Sequence, residues 1–99
     1  MFRHVVLFRW APNTTDAEKD SVAYGLGELP GAIPTVRAYR FGPDAQVNDG
    51  NFDYAVVADF DNAAGYLAYR DHPAHQAILA ERIAPIVAER AAVQYEAED

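Results

Sequence analysis

Cysteine is absent from the 99 residues. That excludes a disulfide framework, a thiolate metal site and a cysteine nucleophile. Positive charge is scarce: 8 basic residues stand against 15 acidic ones, for a net charge of -7. Such a balance argues against nucleic acid or an anionic membrane as a partner. No apolar run approaches the ~20 residues that cross a bilayer. The chain opens directly into a strand pattern with no signal-like n- and h-regions, so a cytoplasmic protein is expected. Repeats, linkers and low-complexity segments are lacking. So are a glycine-rich phosphate loop, a Ser-His-Asp order and a His-x-x-x-His ligand pair. No metal and no cofactor is therefore assigned.

What is present is a large apolar share, 51%, enough to fold rather than stay disordered. The length predicts one domain over residues 1–99. A domain of this size buries roughly two-thirds of its extended-chain surface, so association would help its stability. Phe2 to Trp10 alternates as a strand, with Phe2, His4, Val6, Phe8 and Trp10 on one face and Arg3, Val5, Leu7 and Arg9 on the other. Both faces are apolar at the centre. One helix layer covers only one of them, so a partner sheet on the other is the simplest cover, which predicts a homodimer.

Thr15 to Glu18 has the form of a capping box for a helix running to about Leu29, where Pro30-Gly31 should stop it. Gly25 and Gly27 weaken that helix and suit either a close approach to the sheet or room for a ligand. Val36 to Phe41 predicts the second strand and Phe52 to Phe60 the third, joined through a long turn-rich loop. Asp61 should cap a helix over Asn62 to about Arg70, a second helix should follow from Pro73 to about Arg82, and Pro85 should start a further short turn. Arg90 to Glu96 reads as the last strand, and residues 97–99 should fray. The order is βαββαβ: an α+β fold with an antiparallel four-stranded sheet.

Chemistry concentrates in Tyr69-Arg70-Asp71-His72-Pro73-Ala74-His75, which holds two of the three histidines. Pro73 disfavours helix before it and suits the first turn after it, making His72 the N-cap. His75 shares a helical stripe with Ile78, Leu79, Ile83 and Ile86 and should face inward. Tyr69 ends the preceding helix and leans into the same space. A phenol and an imidazole there make an acid/base pair, and the helix dipole would keep the ring neutral. The competing reading is a buried histidine hydrogen-bonded to Tyr69 only to hold the helix break.

His4 sits between Phe2 and Val6 on its strand face, and a lone histidine there is more often a satisfied core residue than a ligand contact. Tyr54 would offer a hydroxyl to a ligand if its face meets the helices; otherwise it is a core aromatic. Asp53 and Asp59 lie roughly 20 Å apart along a strand, too far for two-carboxylate chemistry. By spacing alone His72 and His75 could share a metal with His4, but a capping His72 points away from the stripe that carries His75.

The motif Tyr-x-x-His-Pro-x-His resembles the signature of the Dabb family of stress-responsive dimeric α/β-barrel proteins. The resemblance extends to His4-Val5-Val6-Leu7-Phe8-Arg9, Leu29-Pro30-Gly31-Ala32-Ile33-Pro34 and Phe52 to Phe60, nearly the whole chain. It implies a ferredoxin-like protomer, a dimer paired sheet to sheet as a dimeric α/β barrel, and a cleft between each sheet and its own helices. Some plant members cyclise a polyketide there, with a tyrosine and a histidine matching Tyr69 and His75 and a further histidine matching His4. This sequence has Tyr54 where the cyclase places another histidine, so the resemblance does not fix the specific substrate. In some members loop carbonyls at the position of residues 32–34 hold magnesium; backbone ligands leave no sequence trace.

Two functions follow. One is cofactor-free proton transfer on a small carbonyl, aromatic or polyketide compound, with His75 as base, Tyr69 orienting it or acting as acid, and His4 and Tyr54 holding a polar group of the substrate. The other is a non-catalytic stress-response dimer, valued for its stability or for a bound apolar ligand.

Overall fold

The alternation of the first ten residues becomes β1 (Phe2–Trp10) in the computed structural model, which describes residues 1–98. Its partners are β2 (Ala38–Pro43), β3 (Tyr54–Phe60) and β4 (Val87–Glu96), and the sheet order is β2-β3-β1-β4, antiparallel throughout. Three α-helices, α1 (Asp16–Ala32), α2 (Ala63–Asp71) and α3 (Pro73–Ile78), complete the chain with a π-helical turn at Leu79–Ile83. This is the predicted ferredoxin-like βαββαβ architecture. Among the described residues no helix is long and apolar enough to cross a membrane.

The helices cover the face that carries His4, Val6, Phe8 and Trp10, all buried. Val22, Leu26 and Leu29 of α1, together with Ile33, close the core against Val56, Ala58 and Phe60. The opposite face keeps Val93 and Tyr95 of β4 at 56% and 46% exposure. Both polar strand residues weighed as carboxylates have structural partners. Asp59 accepts a two-pronged bond from Arg3 directly across the ladder, at 2.7 and 2.9 Å, and Asp53 accepts from the Trp10 amide at 2.8 Å.

Several boundaries differ from expectation. The Thr15–Glu18 capping box forms, but α1 runs through Pro30 to Ala32. Pro30 removes one helical donor, while buried Leu29 and Ile33 flank it and the Ile33 amide closes the last turn on the Leu29 carbonyl at 2.9 Å. The second strand lies two residues later than predicted, because the Val36 amide turns back to the Ile33 carbonyl. It includes Pro43, which the edge position tolerates. Asn62, not Asp61, caps α2, accepting from the Gly65 amide at 2.9 Å, while Asp61 pairs with Arg37. Pairing of Trp10 with Val87 starts β4 three residues early. Ala97 does not fray: its amide reaches the Met1 carbonyl at 2.9 Å. The expectation for Asp99 falls outside the described residues.

The helix from Pro73 was expected to stay α-helical to about Arg82. Instead the Ala84 amide bonds the Leu79 carbonyl, five residues back. In a continuous α-helix Ile78 and Ile83 would point about 140° apart. The wider turn brings both to the buried side, where Ile78 is 9% and Ile83 3% exposed. Gly25 serves the same junction: it lets α1 approach α3 and the π turn, rather than the sheet.

Candidate functional site

One row of side chains crosses the helix-covered face of the sheet. Tyr39 pairs with Ala58, Ala58 with His4, and His4 with Gln94. The register therefore sets a phenol, an imidazole and an amide on one line, under the C-terminal end of α2. His72 then breaks the helix. Its extended backbone (φ -64, ψ 135) ends α2, and its Nδ1 accepts the Ala74 amide at 3.1 Å as the N-cap of α3. The predicted cap is thus present, and it delivers His75 inward at 8% exposure.

The Arg70 carbonyl, left without a helical donor where α2 stops, accepts from His75 Nδ1 at 3.0 Å and from Gln76 Nε2 at 2.6 Å. A carbonyl only accepts, so Nδ1 of His75 carries the proton and Nε2 keeps its lone pair. His4 is fixed the other way. The Gln94 amide nitrogen donates to His4 Nδ1 at 2.8 Å, which puts the proton on Nε2. Neither Nε2 has a hydrogen-bond partner among the described residues, and no buried side-chain polar atom there is left unpaired. Both Nε2 atoms therefore keep some solvent access, and both residues line one cavity.

Both rings are neutral near pH 7. His4 is lowered from 6.5 to about 4, mainly because burial disfavours the imidazolium, with the Arg90 charge and His75 adding to it. His75 is also lowered, again first by burial; its bond to the Arg70 carbonyl opposes this, and Arg90 and His72 reinforce it. Burial thus does the work expected of the helix dipole.

Tyr69 meets His75 ring to ring, centroids 4.2 Å apart, and does not hydrogen-bond it. Its hydroxyl instead shares a 2.8 Å bond with that of Tyr39. Burial pushes the Tyr69 phenol up to about 12 and Tyr39 higher still. Tyr66, one turn before Tyr69, packs over His4 at 4.8 Å.

These residues line a cleft of about 110 Å³, partly open to solvent, with His4, Tyr66, Tyr69, Arg70, His75 and Arg90 over a floor of apolar side chains. That is below the roughly 150 Å³ of an apolar cavity that holds benzene, so the buried part of a ligand is limited to about one small ring. His4, Tyr69 and His75 line this one cleft. Tyr54 does not: it pairs with Phe8, packs 5.8 Å from Trp10, and lines two larger solvent-open grooves that contain no histidine. It lies four residues along β3 from the His4 row, about 13 Å away. Tyr39, Tyr66, Gln94 and Arg90 were not singled out from sequence. Arg90 and Gln94 did carry a signal, as polar residues on the face of β4 opposite Ala91, Val93 and Tyr95. Among the described residues no three His, Asp or Glu side chains converge as metal ligands.

A four-stranded antiparallel ferredoxin-like sheet, helices on one face, and a cleft under a His-Pro helix break define a class of small α+β proteins. The chain belongs to the stress responsive A/B barrel domain family, Dabb, whose model matches residues 2–97. It is 31% identical over 77 residues to a stress-response A/B barrel domain-containing protein of Arabidopsis thaliana, covering 75% of this chain and 67% of that one. It is similar to a dimeric ferredoxin-like protein from Thermobifida fusca: 48% identity, TM-score 0.88, covering 95% of this chain and 88% of the other. A hydroxynitrile lyase from Passiflora edulis shares the fold at 19% identity, with a TM-score of 0.82 over 95% of this chain and 90% of that one.

Proposed function

We propose that this chain acts by cofactor-free proton transfer on a small carbonyl compound, aromatic or otherwise of one-ring size. The observation that carries the reading is a pair of contacts made outside the cavity, His75 Nδ1 to the Arg70 carbonyl and His4 Nδ1 to the Gln94 amide nitrogen, which set opposite tautomers on the two rings. The His4 Nε2–H would donate to a carbonyl oxygen, as a neutral imidazole does where charge develops on an enolate. The His75 Nε2 lone pair would take the proton from the adjacent carbon. Tyr69 holds the His75 ring by face contact; its hydroxyl is engaged with Tyr39 and hard to ionise, so orienting the base is its better role. Isomerisation, aldol-type cyclisation or lyase chemistry all begin with this step. The cavity volume supports one ring rather than an extended polyketide. That the same fold houses a lyase in Passiflora edulis agrees with an enzyme.

The working unit is a homodimer joined through the sheet face opposite the helices. The exposed Val93 and Tyr95, the apolar Val5 and Leu7 beside them, and the dimeric Thermobifida fusca relative support this. Sedimentation at micromolar concentration checks it, and a stable monomer rules it out.

The chemical step is tested by deuterium exchange. A panel of small aryl and alkyl ketones and aldehydes with exchangeable α-protons is incubated in deuterated buffer with the protein, and label uptake is followed by mass spectrometry. At least one compound should exchange faster with the wild type than with His75→Gln. Equal rates across the panel would leave the non-catalytic, ligand-binding reading in its place.

A further inference from the structure

Four of the arginines have carboxylate partners: Arg3 with Asp59, Arg9 with Glu89, Arg37 with Asp61 and Arg70 with Asp71. Arg82 is held by the Ser21 carbonyl and hydroxyl. Arg90 is different. Among the described residues its guanidinium has no hydrogen-bond or ion-pair partner, and it lines the cavity with His4 and His75. The strand explains why. Glu89, the adjacent acid, points to the other face of β4 and is taken by Arg9. Across the ladder Arg90 faces Phe8, and its neighbour two residues on is Ala92. Among the described residues no carboxylate lines that cavity. In a chain of net charge -7 this is a local reversal of sign at the mouth of an apolar cleft.

We infer that Arg90 is the binding residue for an anionic group on the ligand, and that the cleft takes a small carboxylate whose apolar body enters between His4 and His75. A guanidinium matches a carboxylate with two parallel hydrogen bonds, which fixes orientation as well as position. The rest of the cavity suits the body of such a molecule: Val6, Phe8, Leu26, Val56 and Leu79 are apolar, and the two imidazoles supply one donor and one acceptor. This deepens the proton-transfer reading and rests on the same cleft, since it states which end of the substrate stays at the mouth while the other reaches the histidines. Arg90 also opposes protonation of both rings. A bound carboxylate offsets that charge, so occupancy of the mouth should be felt at the imidazoles.

The test uses benzoate and its neutral counterpart benzamide, with affinities read from the shifts of the His4 and His75 imidazole signals in the full chain. Wild type should bind benzoate more tightly than benzamide, and binding should raise the His75 midpoint. Arg90→Gln should weaken benzoate about tenfold or more while leaving benzamide unchanged, the loss expected for a hydrogen bond to a charged group. Arg90→Lys should recover part of the loss, keeping the charge without the fork. Arg90 is exposed on an edge strand, so all three proteins should melt alike. The assignment is overturned if benzoate fails to shift the imidazoles, if benzoate and benzamide bind alike, or if Arg90→Gln weakens both equally. Deuterium exchange separates the two ideas. Arg90-dependent benzoate binding with no ketone exchange keeps the anion site and removes the proton transfer; the reverse result keeps the base and removes the anion site.

Discussion

His75 Nδ1 donates to the carbonyl of Arg70 at 3.0 Å, and this bond decides which nitrogen faces the cleft. The same carbonyl also accepts from Gln76 Nε2. Truncating His75 therefore does not orphan it. His75→Ala should lose ligand binding or turnover at a cost of about 1–2 kcal/mol, chiefly one hydrogen bond and a ring contact. His72→Ala should do the opposite: it removes the cap on the Ala74 amide, costs about 1 kcal/mol, and leaves the cleft functional. Thermal unfolding of both variants beside the exchange assay checks this. Loss of function in His72→Ala with its fold intact would contradict the assignment.

The depressed His4 makes stability depend on pH in a defined window. Between pH 6.5 and about 4 the unfolded chain binds a proton at this residue that the folded chain refuses. Stability therefore rises with pH through that window and falls as pH drops toward 4. The gap corresponds to on the order of 3 kcal/mol once pH is below 4. His75 adds in the same direction. His4→Phe keeps a ring against Tyr66 and frees Gln94 to water, so it should show a shallower loss than wild type when denaturant unfolding is repeated at pH 7 and pH 4.5. Parallel curves for the two proteins would mean that His4 titrates normally.

The Tyr39 and Tyr69 hydroxyls satisfy one another in a buried setting. Removing either should strand its partner and cost about 1–3 kcal/mol. Removing both should cost less than the sum of the singles. A double-mutant cycle of Tyr39→Phe, Tyr69→Phe and the pair, measured by urea unfolding, reads the coupling directly. Additive effects would show that the two hydroxyls do not depend on each other. If Tyr69 only orients His75, Tyr69→Phe keeps the ring contact and most of the turnover.

The fold was legible because its signals are periodic. Alternation in β1 and the stripe from His75 onward named the faces correctly, and Pro73 placed His72 at the cap. Faces are not positions along a strand, however. Tyr54 alternates onto the helix-covered face, which the sequence had left open, yet it sits at the far end of the sheet from His4, because that separation depends on the β1–β3 register. The Tyr39–Tyr69 bond is a contact between elements 30 residues apart, which no local pattern encodes. Tautomers were out of reach for the same reason: the His4 proton is placed by Gln94, 90 residues away. The π turn escaped because Leu79–Ile83 has good helical residues, and what widens it is the need to bury Ile78 and Ile83 together.

Gly25 and Gly31 lie in the same helix and should respond oppositely to alanine. By propensity alone either change would help by about 0.5–1 kcal/mol, since glycine in a helix interior is conformationally expensive. At Gly31 a Cβ meets nothing within 4 Å, so propensity should prevail and Gly31→Ala should raise the melting temperature by a few degrees. At Gly25 a Cβ would lie 2.6 Å from Ile78 Cδ1 and 2.9 Å from Arg82 Cδ. Ile78 is buried in the core and Arg82 is tied to Ser21, so neither yields cheaply. Overpacking of this kind costs about 1–3 kcal/mol, which exceeds the propensity gain. Gly25→Ala should therefore be destabilised. Because α1 would be pushed off α3 and the π turn, the Leu79 and Ile83 side of the cleft should move with it, weakening benzoate binding as well. Melting curves and benzoate titrations of both variants decide the matter: a Gly25→Ala protein as stable as Gly31→Ala would show that the helix approach is looser than these distances require.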